Sequence, residues 1–85
     1  MREIVQAILK LGYEILSPDY EVGLVFGNRH GSTVQIDTNE NGLIDNMIGC
    51  SVQDGVDRDL LEEFELGFAA TPAEVIRILP ELEDF

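Results

Sequence analysis

The chain has 85 residues, 45% of them hydrophobic, and this length and composition predict one folded domain over residues 1–85. The net charge is −12, from 17 Asp and Glu against five Lys and Arg, which argues against direct binding to nucleic acid. We also expect no membrane helix, no signal peptide and, with a single cysteine, no internal disulfide. The expected location is therefore cytoplasmic.

The first element predicted is a helix over residues 2–11, with an apolar stripe that includes Ile4 and Ile8. Gly12 follows at the position of a left-handed C-cap residue. Residues 13–17 are predicted to form an irregular link, and a strand is predicted from about Tyr20 to Gly27.

Two further strands are predicted around three-residue loops that end in glycine, at positions 29–31 and 40–42. The first loop sets Phe26 against Val34. The second sets Val34 against Ile48, and it sets Asp37 against Asp45 on the outer face. The predicted inner face carries these apolar residues: Val22, Leu24, Phe26, Val34, Ile36, Ile44 and Ile48.

Two helices are predicted after the sheet. Asp57 is placed to cap the first, with Val56 and Leu61 as a hydrophobic staple. Thr71, Pro72 and Glu74 form a capping box at the start of the second, and the tail is expected to dock through Leu82 and Phe85. The predicted cover of the sheet consists of Ile4, Ile8, Leu61 and Phe64, and Phe68 is predicted on the same inner face of the first of these helices.

These elements predict an α+β fold, in which a three-stranded antiparallel meander carries helices on one face in the order α-β-β-β-α-α. The other face is left to solvent or to a partner. Val25, Leu43 and Met47 are the apolar residues predicted on this open face.

Residues 37–45 match the first part of an EF-hand calcium loop, since Asp37, Asn39 and Asn41 occupy the first ligand positions. Ile48 stands where the bidentate Glu belongs, and the preceding segment has a strand pattern. The favoured interpretation is a hairpin loop rich in turn-forming residues. Whether it binds a cation stays open, and we predict no metal site and no cofactor.

A nucleophile–base pair of His30 and Cys50 is not favoured, because the predicted register places Cys50 on the core side and His30 in an exposed turn. The paired carboxylates lie on outward helix faces with no predicted cleft, which is not the arrangement of a two-carboxylate hydrolase. The sequence therefore predicts no catalytic residue and a protein that is not an enzyme.

The acids form two groups, which we predict to be partner-binding. One surrounds the hairpin tip (Asp37, Glu40, Asp45), and the other lies along one helix (Asp59, Glu62, Glu63). Like charges at this spacing repel each other, so their retention is consistent with an array that imitates phosphates.

The size, acidity and element order resemble those of phage-encoded anti-CRISPR proteins that occupy the DNA-binding cleft of an effector nuclease. They are also similar in kind to other DNA mimics and to immunity proteins that block nuclease toxins. No sequence motif carries this resemblance. It implies a non-enzymatic inhibitor that blocks a basic nucleic-acid-binding surface of a partner by electrostatic and steric mimicry. The alternative is a small acidic accessory or regulatory domain, either a monomer or a homodimer through the open sheet face.

Overall fold

The computed structural model describes residues 2–17, 23–67 and 69–84, which form an antiparallel sheet with helices packed on one face. The α+β class is as predicted, but the described sheet has five strands instead of three. In chain order the elements are α1 (Arg2–Lys10), β1 (Glu14–Ser17), β2 (Leu24–Gly27), β3 (Thr33–Thr38), β4 (Ile44–Cys50), β5 (Asp57–Asp59), α2 (Leu60–Glu63), α3 (Pro72–Ile78) and a 3-10 helix (Leu79–Asp84). The predicted order α-β-β-β-α-α therefore lacks the first and last strands.

The two strands that the sequence did not predict, β1 and β5, are short and lie at the edges of the sheet. β1 replaces the predicted irregular link, and Ile15 pairs with Phe26 of β2. β5 pairs with the end of β4, where Arg58 lies opposite Gly49. With four and three residues, neither strand is long enough to show a clear alternation of apolar and polar residues. The predicted first residues of the β2 strand, 20–22, lie outside the described part of the chain.

The two predicted three-residue loops are confirmed, and they share a motif. Asn28 N–H donates to the Ser32 carbonyl in the first loop, and Asn39 N–H donates to the Leu43 carbonyl in the second. In each loop the asparagine Oδ1 accepts two backbone N–H groups, two and four residues further along. The asparagine side chain thus closes the turn from inside. The predicted β2–β3 register also holds, with Phe26 opposite Val34.

A β-bulge at Asp45 makes the predicted β3–β4 register wrong. Thr38 pairs with Ile44 as predicted, but Asp37 pairs with Asn46 instead of Asp45. Asp45 is the extra residue on β4 and has no partner on β3. A bulge of this kind shifts the alternation of side chains by one position for the rest of the strand.

The bulge reverses the predicted faces of the second half of β4. Val34 lies opposite Gly49, so Val34 and Ile48 are on opposite faces of the sheet. Met47 is fully buried in the core, whereas Ile48 and Cys50 lie half-buried on the outer face. Met47 was predicted on the open face, and Ile48 and Cys50 on the inner face, so all three assignments are corrected.

The helix after the sheet begins later than predicted. Asp59, not Asp57, is its N-cap, and its carboxylate accepts the backbone N–H groups of Leu61 and Glu62. Asp57 instead begins β5. Val56 is 56% exposed, so the predicted staple between Val56 and Leu61 does not form.

The capping box at the start of α3 is confirmed. Thr71 Oγ1 accepts the N–H of Glu74, and the Glu74 carboxylate accepts the N–H of Thr71. Leu82 in the 3-10 helix is buried as predicted. The predicted contacts of Phe68 and Phe85 lie outside the described residues.

One hydrophobic core fills the space between the helices and the inner face of the sheet. Every described helix contributes to it, and the predicted cover by Ile4, Ile8 and Leu61 is confirmed, with Phe64 partly buried beside it. Tyr13 joins the two ends of the chain, since its hydroxyl donates to the Leu79 carbonyl at 2.8 Å. The sheet residues of the core are Leu24, Phe26, Val34, Ile36, Ile44 and Met47.

Candidate interaction surface

The hairpin tip between β3 and β4 holds two predicted partner-binding acids in different environments. Glu40 is exposed in the loop. Asp37 is half-buried, and its carboxylate accepts hydrogen bonds from Gln35 Nε2 at 3.2 Å and from Asn46 Nδ2 at 2.8 Å. Asp37 therefore links β3 to β4 and has a structural role that the sequence did not reveal.

A cleft of about 250 Å³ opens between the β-bulge and α2. Three of the six predicted partner-binding acids line it, and they come from both predicted groups. None of the lining residues is basic, and Leu61 and Leu66 supply its apolar part. The lining residues are Asp45, Asn46, Asp59, Leu61, Glu62, Leu66 and Gly67.

Local backbone structure brings the three cleft acids together. The bulge leaves Asp45 exposed beside the sheet, while Asp59 lies at the junction of β5 and α2. Glu62 follows in the first turn of α2, where the helix N-terminus favours negative charge. Glu63 is exposed on the same helix but does not line the cleft, and neither do Glu40 and Asp37.

The cleft has the chemistry of a site for a basic side chain. Carboxylates form charge-assisted hydrogen bonds with guanidinium and ammonium groups. The aliphatic stem of Arg or Lys packs on apolar surface while its charged end stays near polar groups. Leu61 and Leu66 offer such a surface beside Asp45 and Glu62.

The calcium-loop positions are engaged in holding the hairpin. Asn39 Oδ1 accepts the N–H groups of Asn41 and Leu43 at 2.9 and 3.1 Å. The Asp37 carboxylate accepts hydrogen bonds from the side chains of Gln35 and Asn46. Across residues 2–17, 23–67 and 69–84, no group of three or more His, Cys, Asp or Glu side chains is arranged to hold a metal ion.

Cys50 lies on the outer face, between Thr33 of β3 and Asp57 of β5. Burial raises the pKa of the Cys50 thiol, and so do a hydrogen bond to Asp57 and the negative charges of Asp57 and Asp54. A raised pKa keeps a thiol protonated and weakens it as a nucleophile. His30 is exposed in the β2–β3 loop, as predicted.

The outer sheet face is the side of the sheet away from the core. Val25 lies on it as predicted, whereas Met47 is in the core and Leu43 is half-buried in the β3–β4 loop. Two rows of directly paired residues cross this face from β2 to β5. The first row is Val25, Gln35, Ile48 and Asp59, and the second is Gly27, Thr33, Cys50 and Asp57.

No family model, curated protein or solved structure matches the chain. The resemblance to small acidic inhibitors therefore stays a hypothesis that depends on size and charge, since the predicted element order lacks two of the five strands. In the described part of the chain, no helix has the length and apolar character needed to cross a membrane.

Sequence reasoning missed three contributors to this surface. Asn46 was not predicted to take part, but its Nδ2 donates to the Asp37 carboxylate and it lines the cleft. Leu66 and Gly67 line the cleft from the segment that follows α2, which ends at Glu63. The only sequence signal for the bulge is Asn46 itself, which breaks the inner-face pattern that a regular strand from Ile44 would give.

Proposed function

We propose that this chain is a non-enzymatic acidic binding protein that occupies a basic nucleic-acid-binding surface of a partner, such as a CRISPR effector or another nuclease. The observation that carries the proposal is the convergence of Asp45, Asp59 and Glu62 on one cleft without a basic lining residue. Binding there blocks the partner's access to nucleic acid by charge and by bulk.

The overall charge supports the same function. A net charge of −12 on 85 residues repels nucleic acid and attracts a basic groove. Electrostatic attraction of this kind raises association rates by about 10–1000-fold and weakens as salt increases. The cleft then adds a defined position for one basic side chain of the partner.

The acids of the surface divide into two classes that an experiment can separate. Asp37 and Asp59 accept hydrogen bonds that hold β4 and α2 in place, so neutralising either one also disturbs the fold. Asp45 and Glu62 are exposed. Replacing these two with Asn and Gln removes charge at the cleft and preserves shape.

The test uses a panel of purified CRISPR effector nucleases and nuclease toxins, each assayed for binding to labelled duplex DNA. We expect the chain to compete with DNA for at least one member, and the Asp45→Asn/Glu62→Gln variant to bind that member about tenfold or more weakly, a loss of about 1.4 kcal/mol. Affinity is measured by titration at low and at physiological salt.

The matched control is Glu3→Gln/Glu81→Gln, which removes the same charge from exposed positions on α1 and the 3-10 helix. This variant keeps nearly full affinity if the cleft is the contact. Equal losses in both variants would show a nonspecific charge effect, and full inhibition by the cleft variant would refute the proposed site.

A further inference from the structure

The outer sheet face carries an apolar strip that the proposed electrostatic function does not use. Val25 and Ile48 are half-buried in one crossing row, separated by Gln35. Leu16 of β1 stands over Gly27 in the neighbouring row and is 49% exposed. A Cβ at Gly27 would lie 3.3 Å from Leu16 Cδ1, so the glycine lets this leucine lie across the sheet.

Acids border this strip, and no base shares the face in the described strands. Asp57 and Asp59 lie at the β5 end, and Glu14 lies at the β1 end. Arg58 pairs with Gly49, an inner-face position, and therefore lies on the opposite side of β5. The outer sheet face thus carries Leu16, Val25 and Ile48 around the polar residues Gln35 and Thr33, with acids at its margins.

The charge at these margins decides what can cover the strip. A second copy of the chain would bring another net charge of −12 and would place acidic margins close to acidic margins. Like charges placed close together across a protein–protein interface cost several kcal/mol of binding free energy. A partner with basic margins gains from the same arrangement.

We propose that the outer sheet face is the docking site for an amphipathic basic helix of a partner protein, with an apolar stripe bordered by Lys and Arg. This inference deepens the proposed function and rests on its premise that the partner is basic. The apolar stripe packs on Leu16, Val25 and Ile48, and the basic residues reach Asp57, Asp59 and the adjoining cleft.

The dimensions of the face suit a helix. Five strands spaced about 4.8 Å apart are about 19 Å across, which equals the length of about 13 helical residues. An antiparallel sheet commonly packs one face on the core and leaves the other open, and the described helices of this chain all contribute to the core on the inner side. The outer face is therefore free for the partner's helix.

The probe is a fluorescent synthetic peptide of about 18 residues that forms a helix, with Leu at helical spacing on one side and Lys or Arg elsewhere. A second peptide has the same composition in an order that scatters the leucines. We expect the amphipathic peptide to bind about tenfold or more tightly than the scattered one by fluorescence anisotropy. Part of this difference persists in high salt, because burial of apolar surface is not screened.

Variants of the chain locate the contact. Val25→Thr/Ile48→Thr removes apolar surface and keeps β-branched side chains, and we expect about tenfold weaker binding of the amphipathic peptide. The matched control is Val52→Thr/Val56→Thr, at valines that are 60% and 56% exposed in the β4–β5 loop, where we expect less than a twofold change. A nitroxide on Cys50, the chain's only cysteine, broadens the resonances of bound peptide if the helix lies on this face.

Each outcome decides the inference separately from the proposed function. Equal binding of both peptides, lost in Asp45→Asn/Glu62→Gln, leaves the electrostatic function intact and overturns the helix site. Sedimentation equilibrium that shows a dimer broken by Val25→Thr/Ile48→Thr assigns the face to a second copy and also overturns it. If no nuclease is inhibited but the amphipathic peptide binds at this face, the proposed function fails and the helix site stands.

Discussion

Glycine 12 and glutamate 65 occupy the same position at the ends of two different helices. After α1, Gly12 N–H donates to the Leu9 carbonyl and the next N–H donates to the Ile8 carbonyl. After α2, Glu65 N–H donates to the Glu62 carbonyl in the equivalent bond. Both residues have positive φ, +87° for Gly12 and 57° for Glu65. Only the glycine adopts this conformation without steric cost.

Glu65→Gly should therefore stabilise the protein. A non-glycine residue in the left-handed region costs about 1 kcal/mol, partly offset in the glycine variant by greater freedom of the unfolded chain. We expect the free energy of unfolding to rise by about 0.5–1 kcal/mol and Tm by several degrees. Thermal and urea denaturation measure both quantities.

The matched control is Glu63→Gly, which removes the same charge from the last residue of α2. Glycine within a helix lowers stability by about 0.5–1 kcal/mol, so the two variants should shift Tm in opposite directions. An increase of Tm in both variants would mean that relief of charge repulsion, and not backbone conformation, governs both, and a decrease in both would contradict the predicted gain at Glu65.

The Cys50 thiol makes the stability of the folded protein depend on pH. Its pKa in the folded protein is raised, by burial first and then by Asp57 and Asp54. The group therefore adds stability that is complete below the unfolded pKa of about 8.5 and is lost as pH rises through the higher folded pKa. Alkylation of folded protein by iodoacetamide near that pH should be slower than alkylation of unfolded protein.

Asp57→Asn tests the cause, because it removes a negative charge and weakens the bond that holds the thiol proton. We expect faster alkylation and a smaller loss of stability above the unfolded pKa. Glu40→Gln loses the same charge at the hairpin tip and should alkylate like the unchanged chain. An unchanged rate in Asp57→Asn would leave burial and the charge of Asp54 as the causes of the raised pKa.

At the scale of elements, strong local signals were predicted correctly and long-range adjustments were not. The capping box at Thr71 and the two loops that end in Gly31 and Gly42 depend on neighbouring residues, so the sequence reveals them. The bulge at Asp45 depends on how β4 fits against two neighbours, since Ile44 pairs with Thr38 on one side and exchanges backbone hydrogen bonds with Ala70 on the other. No local pattern predicts that double constraint.

Deleting Asp45 should leave the fold intact. The partners of β4 on β3 stay the same without it, and Ile44, Asn46 and Met47 then alternate regularly between inner and outer faces. We expect cooperative unfolding with a loss of no more than about 2 kcal/mol, within the range of ordinary single changes. Denaturant unfolding and amide NMR spectra check stability and fold.

Deletion of Gln35 is the comparison, since β3 has no extra residue to lose. It must turn either Val34 or Ile36, both buried, toward the outer face. The expected loss is about 2–5 kcal/mol, comparable to truncating a buried aliphatic side chain. Equal destabilisation by the two deletions would contradict the assignment of Asp45 as the bulge residue.

At the scale of the whole molecule, charge was predictable and its arrangement was only partly so. The sequence identified six acids, but their two groups were expected to lie apart on a hairpin tip and a helix. Asp45 and Asp59 line one cleft because of the bulge on β4 and the late start of α2. The outer sheet face differs more from the prediction. The one-residue shift in register after the bulge places Ile48 and Cys50 on this face and Met47 in the core.

The strand order of the sheet follows the chain order, so the sheet can fold strand by strand. Each described strand pairs with the next one, through contacts that are close in sequence and form quickly, within about 1–10 μs for a hairpin. The bond from Tyr13 to Leu79 instead spans 66 residues. During synthesis the sheet can therefore form while α3 and the 3-10 helix are still inside the ribosome. Part of its inner face, not covered by α1 and α2, then stays open to water, and to chaperones, until α3 and the 3-10 helix emerge and close it.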